Sequence, residues 1–257
     1  MRREERDGIQ LLWSDLLESA GFAAVFSERT GGHSGGAFAS LNLGAAIGDD
    51  RGAVLANRRR LAAALGIETF TLARQVHGAM ALAVSREAAG AGFGDPATVL
   101  GPADALTTTA GGVAISVLTA DCVPVVLADP AGGLLAVVHA GWRGLAAGVV
   151  EAGLARFDPG ATVVAAIGPA IGADHYEVGD EVARAVAARA GPDVVARPSP
   201  LDRPHLDLPG AVVRILQKAG VAGIDAAGEC TACFPQRYFS HRRDGVTGRQ
   251  AAVAFRP

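Results

Sequence analysis

The chain reads as an α+β protein of one domain, on three observations. Its clearest consecutive strands form antiparallel hairpins, helical segments are intermixed with them, and neither a repeat nor a sharp composition break divides residues 1–257. Residues 10–26 read as a short helix or strand leading into a strand, closed by the turn at 27–32. A Gly- and Ser-rich stretch then runs to Gly48-Asp49-Asp50. Residues 51–65 are expected to be helical because Val54, Leu55, Leu61 and Leu65 recur at helical spacing. Residues 70–76 and 79–84 read as strands around His77-Gly78, and 88–103 as a Gly-rich loop. Strands at 114–118, 123–128 and 134–138 come next. Residues 143–157 are expected to form one helix with Val149, Val150, Leu154 and Phe157 on one side. A strand at 163–167 ends in Gly168-Pro169. Helices follow at 180–190, capped by Asp180, and at 207–219, with a last strand at 251–255. The Pro-rich stretch 197–204 reads as a surface loop.

Composition narrows the function. At 50% hydrophobic and 19% charged, 257 residues can bury a sizeable core. A net charge of −3 argues against nucleic-acid binding by phosphate neutralisation. Lys218 is the one lysine, so a Schiff-base mechanism would rest on it alone. Three cysteines, an odd number, do not suggest a disulfide framework. The charged N-terminus and the interruptions at Asp15 and Glu18 do not fit a signal peptide. The longest apolar stretch, 111–138, carries Asp121, Pro124, Asp129 and Pro130, which do not fit a membrane span. The expected setting is soluble, reducing and cytoplasmic.

Chemistry concentrates in three short segments: Gln75-Val76-His77-Gly78, Ala120-Asp121-Cys122-Val123-Pro124 and His139-Ala140-Gly141-Trp142-Arg143-Gly144. The last two flank one hairpin whose turn is Asp129-Pro130-Ala131-Gly132-Gly133. A turn centred near Ala131 puts Cys122 opposite His139, where facing Cβ atoms lie about 4.5–5.5 Å apart. With His77 added, a thiolate and two imidazoles make a three-ligand zinc site with an open position. Alone, His77 reads equally as a surface-turn histidine, and Cys122 as a small buried hydrophobe. Glycines between His139 and the next helix suit an anion, which Arg143 could grip bidentately, or merely permit a tight turn. Cys230-Thr231-Ala232-Cys233 lacks a second pair and reads as incidental. His175, His205 and His241 read as structural or exposed, and residues 240–244 as a solvated charged turn with substrate contact the minority option. No Walker, dinucleotide, GxSxG or HExxH motif is present.

Taken in order, Arg29-Thr30-Gly31-Gly32-His33-Ser34, Leu41-Asn42-Leu43-Gly44, Gly48-Asp49-Asp50, Asn57-Arg58, the three segments above, Ile167-Gly168-Pro169, Tyr176-Glu177-Val178-Gly179, Arg242-Arg243-Asp244 and Thr247-Gly248-Arg249-Gln250 span almost the whole chain. Together they resemble the laccase-domain family, also called multicopper polyphenol oxidase-like or YfiH-type. The resemblance implies a single α/β domain over 1–257, layered α/β/β/α, with mixed, largely antiparallel sheets. It implies phosphorolysis of adenosine, guanosine, inosine and methylthioadenosine, and deamination of adenosine. The family's metal ligands fall on His77, Cys122 and His139. Zinc is the expected metal, with copper the lesser option. Members often carry a Cys pair where this chain has Asp174-His175, and a small apolar residue where it has His33, a change expected to act at the pocket mouth.

For deamination Asp121 is the nearest proton shuttle. For phosphorolysis the Gly141–Gly144 turn and Arg143, with Arg29, are expected to hold phosphate. Arg29, Asn42, Arg143 and Arg242 are the expected substrate contacts, and Asp121, Cys122 and Arg143 the catalytic set. Expected partners are purine nucleosides and phosphate, with no nucleic acid and no membrane. The main alternative is a metal-free cysteine hydrolase or amidase with Cys122 as nucleophile and His139 as base, in the manner of peptidoglycan-precursor editing. Copper-dependent phenol oxidation ranks lower, because six histidines are few for a multicopper centre.

Overall fold

Two β-sheets lie face to face between two helical layers, in the order α/β/β/α, in a computed structural model that describes every residue except Pro198 and Pro200. The hairpin of β1 (Arg2–Arg6) and β2 (Ile9–Trp13) leads through α1 (Asp15–Ser19) to β3 (Ala23–Ser27). Helix α2 (Arg51–Leu65) starts where the Asp50 side chain accepts from the Ala53 N–H and stops at Gly66, whose φ is 69°. Short strands β4 (Ala73–Arg74), β5 (Ala81–Ala83), β6 (Leu100–Pro102) and β7 (Ala105–Thr108) precede β8 (Ile115–Thr119), β9 (Val123–Ala128) and β10 (Leu135–Ala140). Then come α3 (Trp142–Ala147), α4 (Val149–Leu154), β11 (Val164–Ile167) and α5 (Asp180–Ala190). The chain closes with β12 (Val195–Ala196), β13 (His205–Leu206), α6 (Leu208–Lys218), β14 (Gly223–Ala226), α7 (His241–Asp244) and β15 (Gln250–Phe255).

The five-stranded sheet, ordered β1-β2-β3-β15-β8, is antiparallel throughout. The six-stranded sheet, β14-β11-β9-β10-β7-β5, is mixed, with parallel pairing only at its two edges. Strand β9 shows why its sequence is one apolar run rather than an alternation. Val126 and Ala128 pack between the sheets with Phe26, Val117 and Ala252, while Val125 and Leu127 pack outward under α4, α5 and α6. On the far side Leu61, Ala62 and Leu65 of α2 cover Leu11, Val25 and Val253 of the five-stranded sheet.

Several expectations need correction. Residues 143–157 are two short helices, because Gly148 at φ 87° ends α3 in the left-handed region. The cap of α5 is Gly179, not Asp180, which is the first helical residue. The strand expected over 70–76 shrinks to β4 and an isolated bridge of Thr71 to Ile115. Strand β7 was not expected; it follows directly on Asp104. Within the Pro-rich stretch 197–204, Pro198 and Pro200 lie outside the described residues.

The chemistry sits where the chain changes sheets. Strand β8 belongs to one sheet and β9 to the other, so Ala120, Asp121 and Cys122 are the crossover. Asp121 makes the bend with φ 92°, an uncommon value for a residue with a side chain.

Candidate active site

Hairpin register sets the first distance. His139 pairs with Pro124 and Ala140 with Val123, two residues off the expected facing of Cys122 and His139. A shift of two keeps both side chains on one face. They therefore still converge, diagonally, and the backbone opposite Cys122 is Gly141. A Cβ on Gly141 would lie 2.8 Å from Cys122 Sγ and 3.0 Å from His77 Cδ2, so only glycine leaves room for the cluster.

His77 comes from a different part of the chain, in a turn with φ 58°. That turn is held by Asp104, a residue the sequence reading passed over. Its carboxylate accepts from the backbone N–H groups of Val76, His77 and Gly78 at 3.1, 2.9 and 2.7 Å. The same carboxylate lies 2.8 Å from His139 Nδ1, and the Asp104 carbonyl accepts from the His139 N–H at 2.7 Å. One buried carboxylate thus positions both histidines. With Nδ1 on Asp104, the His139 nitrogen left for other work is Nε2. The available signal was an acidic residue opening the apolar run Ala105-Leu106-Thr107, one position past the loop drawn at 88–103.

Ligand atoms of His77, Cys122 and His139 lie within 4.8 Å of one another. Cys122 Sγ is 3.9 Å from His77 Nε2, and the two imidazoles meet edge to face with centroids 4.8 Å apart. His139 is buried, Cys122 half-buried and His77 exposed, so the cluster opens on one side. Burial opposes charge on Cys122, but the adjacent His139 and the hydrogen bonds from both imidazoles bring its thiol down to about 6. Burial likewise works against a charged His139, yet the Cys122 thiolate and Asp104 raise it to about 9. For Asp104, burial is outweighed by His139 and the backbone N–H donors, which hold the carboxyl below its ordinary range. The metal-free cluster is therefore a thiolate and an imidazolium backed by a carboxylate. Two imidazoles and one thiolate, with the Asp104 carboxylate hydrogen-bonded to His139 Nδ1, suit zinc by donor type.

The cluster opens into a cavity of about 760 Å³. Arg58, Arg74, Arg143, Arg242 and Arg249 line it against a single carboxylate, Asp121, among the described residues. Arg143 is exposed, stacks over Trp142 at 4.4 Å and has no hydrogen-bond partner among the described residues. Arg242 stacks over Tyr176 at 4.8 Å and donates to the Glu177 carbonyl at 2.8 Å. Burial pushes the Tyr176 phenol up to about 12, so it stays a neutral donor. Arg249 was not singled out from sequence; it donates to the carbonyls of Thr247 and Gly248. Ile47, Leu72, Val99, Leu118 and Trp142 give the cavity an apolar wall.

Other expected site residues fall elsewhere. Asn42 is fully buried, and its amide is occupied by Gly44, Asp49 and the Arg249 N–H. It supports the backbone of Arg249 and does not line the cavity. Arg29 is likewise outside the lining; it donates to Ala39 and Pro235 carbonyls and stacks over Phe239. His33 is exposed, with its N–H held by Asn57, and it too lies outside the lining. Asp121 lines the cavity, but its oxygens already accept from Thr231 Oγ1 at 2.6 Å and the Arg242 N–H at 2.7 Å. Those bonds fit a carboxylate that positions Cys122 better than one that exchanges protons. Helix α3 spans only six residues, too short for its N-terminus alone to hold an anion, and Arg143 stands in its first turn. The segment 240–244 is α7 with its Ser240 cap, and Arg242 and His241 face the cavity rather than forming a solvated turn only.

Comparison with known proteins points the same way. A family model described as multi-copper polyphenol oxidoreductase laccase matches residues 23–256. The purine nucleoside phosphorylase ORF3 of Streptomyces griseus is 42% identical, covering 96% of this chain and 98% of that protein. The purine nucleoside phosphorylase YlmD of Geobacillus stearothermophilus is 38% identical, covering 92% and 91%. The crystal structure of YlmD superposes with a TM-score of 0.90 at 36% identity, covering 98% of this chain and 97% of the other. Among the described residues no helix is long and apolar enough to cross a membrane.

Proposed function

The chain belongs to the multi-copper polyphenol oxidoreductase laccase family, and within it we propose a zinc-dependent purine nucleoside enzyme that phosphorolyses adenosine, guanosine, inosine and methylthioadenosine and deaminates adenosine. One observation carries the reading: a His-Cys-His ligand cluster in the lining of an arginine-rich cavity with an apolar wall. In phosphorolysis a phosphate oxygen bonds to ribose C1′ while the C1′–N9 bond breaks, and its electron pair leaves with the base. Ribose 1-phosphate and the free purine result.

His77, Cys122 and His139 are the residues that would hold zinc, and zinc would supply Lewis acidity at the inner end of the cavity. Among the described residues Arg143, like Arg74, lines the cavity with a guanidinium that has no hydrogen-bond partner; Arg143, beside the cluster, takes the phosphate with the two-pronged geometry that suits it. Arg242 stands behind as a second positive charge, held on the backbone of the Tyr176 segment. Trp142, Leu118 and Val99 exclude water from the base. Asp104 keeps His139 Nε2 turned to the cluster and fixes the His77 turn. The test is incubation with adenosine, with and without phosphate, and mass analysis of the products. Adenine and ribose 1-phosphate that depend on phosphate, together with phosphate-independent inosine, bear the reading out; no turnover of any purine nucleoside refutes it.

A second reading has its own support. Asp104, His139 and Cys122 form the series carboxylate, imidazole and thiolate of a cysteine hydrolase. In that reading the Cys122 thiolate attacks an acyl carbon, the leaving group departs with a proton from His139, water then cleaves the thioester, and no metal is bound. Zinc retained through gel filtration, with Cys122 protected from alkylation, eliminates it.

A further inference from the structure

A second set of ligand-type side chains converges outside the first cluster. Nitrogen and sulfur atoms of His175, Cys230 and Cys233 lie within 4.8 Å of one another. The CxxC has no second Cys pair in the sequence; its partner in space is a histidine from another loop. We propose that His175, Cys230 and Cys233 form a second metal site, taking zinc or a similar thiophilic divalent ion.

Spacing, backbone framing, charge and access support it. Cys-x-x-Cys is the spacing with which structural zinc sites take two ligands from one turn, and an imidazole is the usual complement. The two contributing loops are already stitched by backbone, with the Thr231 N–H donating to the Ala170 carbonyl at 3.0 Å and the Ala170 N–H to the Glu229 carbonyl at 3.2 Å. Within that frame the Gly172 N–H donates to Cys230 Sγ at 3.2 Å, and the His175 N–H to the Gly172 carbonyl at 3.1 Å. The second bond fixes where His175 stands. Charge balances as well: a divalent ion displaces two thiol protons to solvent, and two thiolates neutralise it. His175 and Cys233 are exposed, which leaves an entry path and a water-accessible fourth position.

The site would brace the first one. Thr231, between the two cysteines, donates to Asp121, the neighbour of Cys122. Tyr176, next to His175, is part of the cavity wall. An ion here ties that wall to the support of the crossover.

The test is metal content in reducing buffer, after loading with zinc alone and gel filtration. Two equivalents are expected for the wild type, one for Cys122→Ala, one for Cys230→Ser/Cys233→Ser, and none for the triple variant. Cobalt in the Cys122→Ala protein should give thiolate-to-metal charge-transfer absorption, lost on adding only Cys233→Ser, a mild change at an exposed position. One equivalent in the wild type and none in Cys122→Ala would overturn the proposal. So would a Cys122→Ala protein whose cobalt spectrum lacks thiolate bands, or a Cys230–Cys233 disulfide that persists in reductant and excludes metal.

Discussion

Cys122 and His139 hold each other's charge, and that pairing has a measurable pH window. Cys122 is depressed, so in the metal-free protein its contribution to stability is fully present above the ordinary thiol value and disappears as pH falls through about 6. His139 is raised, so its contribution is fully present below the ordinary imidazole value and disappears as pH rises through about 9. Thiolate and imidazolium therefore coexist between about 6 and about 9. Alkylation of metal-free protein, followed at Cys122 by peptide mapping, should titrate with a midpoint near 6, and zinc should suppress it. A midpoint near that of an ordinary thiol would contradict the pairing. Asp104 is the other sensitive residue. Asp104→Ala removes the acceptor for three N–H groups and for His139 Nδ1, and a chelator competition should show zinc affinity falling by about 10–100-fold. Unchanged affinity would remove Asp104 from the site.

Between elements, the site depends on how closely the turn after β10 approaches the crossover after β8. Gly141→Ala places a methyl against Cys122 Sγ and His77, so metal affinity should fall while the melting temperature changes little. Competition with a chelator and a melting curve on one sample separate the two effects. This level also explains what could be read in advance. The β9–β10 hairpin was legible because both strands are continuous apolar runs bounded by a Gly-rich turn. Its register was not, because the turn Asp129–Gly133 could close around more than one centre, and a single-residue shift of that centre moves the partner by two. Strand β1 went unread because all five of its residues are charged, on an edge where Arg2 and Arg3 pair with Asp15, Glu18, Glu28 and Glu229. Helix 143–157 was legible by its apolar spacing, yet Gly148 divides it. His77, Cys122 and His139 could be chosen by type and context, and Arg143 and Arg242 by their neighbours. Asp104 left only a weak mark, an acidic residue before Ala105-Leu106-Thr107, and the union of His175 with Cys230 and Cys233 left none, since a long-range contact makes it.

Across the molecule, the two stacked sheets form the platform that holds three separate segments in one place. Leu106 of β7 is buried between the sheets, two residues from Asp104. Leu106→Ala should lower unfolding free energy by about 2–5 kcal/mol in a denaturant titration. Its zinc affinity at low temperature should change far less than that of Asp104→Ala, since the carboxylate and its donors remain. Joint loss of fold and metal binding would mean that the core and the site are not separable.

In the proposed function the His77–Cys122–His139 centre, with a metal bound, drives phosphate-dependent cleavage of purine nucleosides. Its most direct test follows ribose 1-phosphate release from inosine as zinc is added back to metal-free enzyme, wild type beside Cys122→Ala. Activity that is absent without metal, returns with zinc in the wild type and does not return in Cys122→Ala is the expected result. Full activity in metal-free Cys122→Ala protein would contradict it.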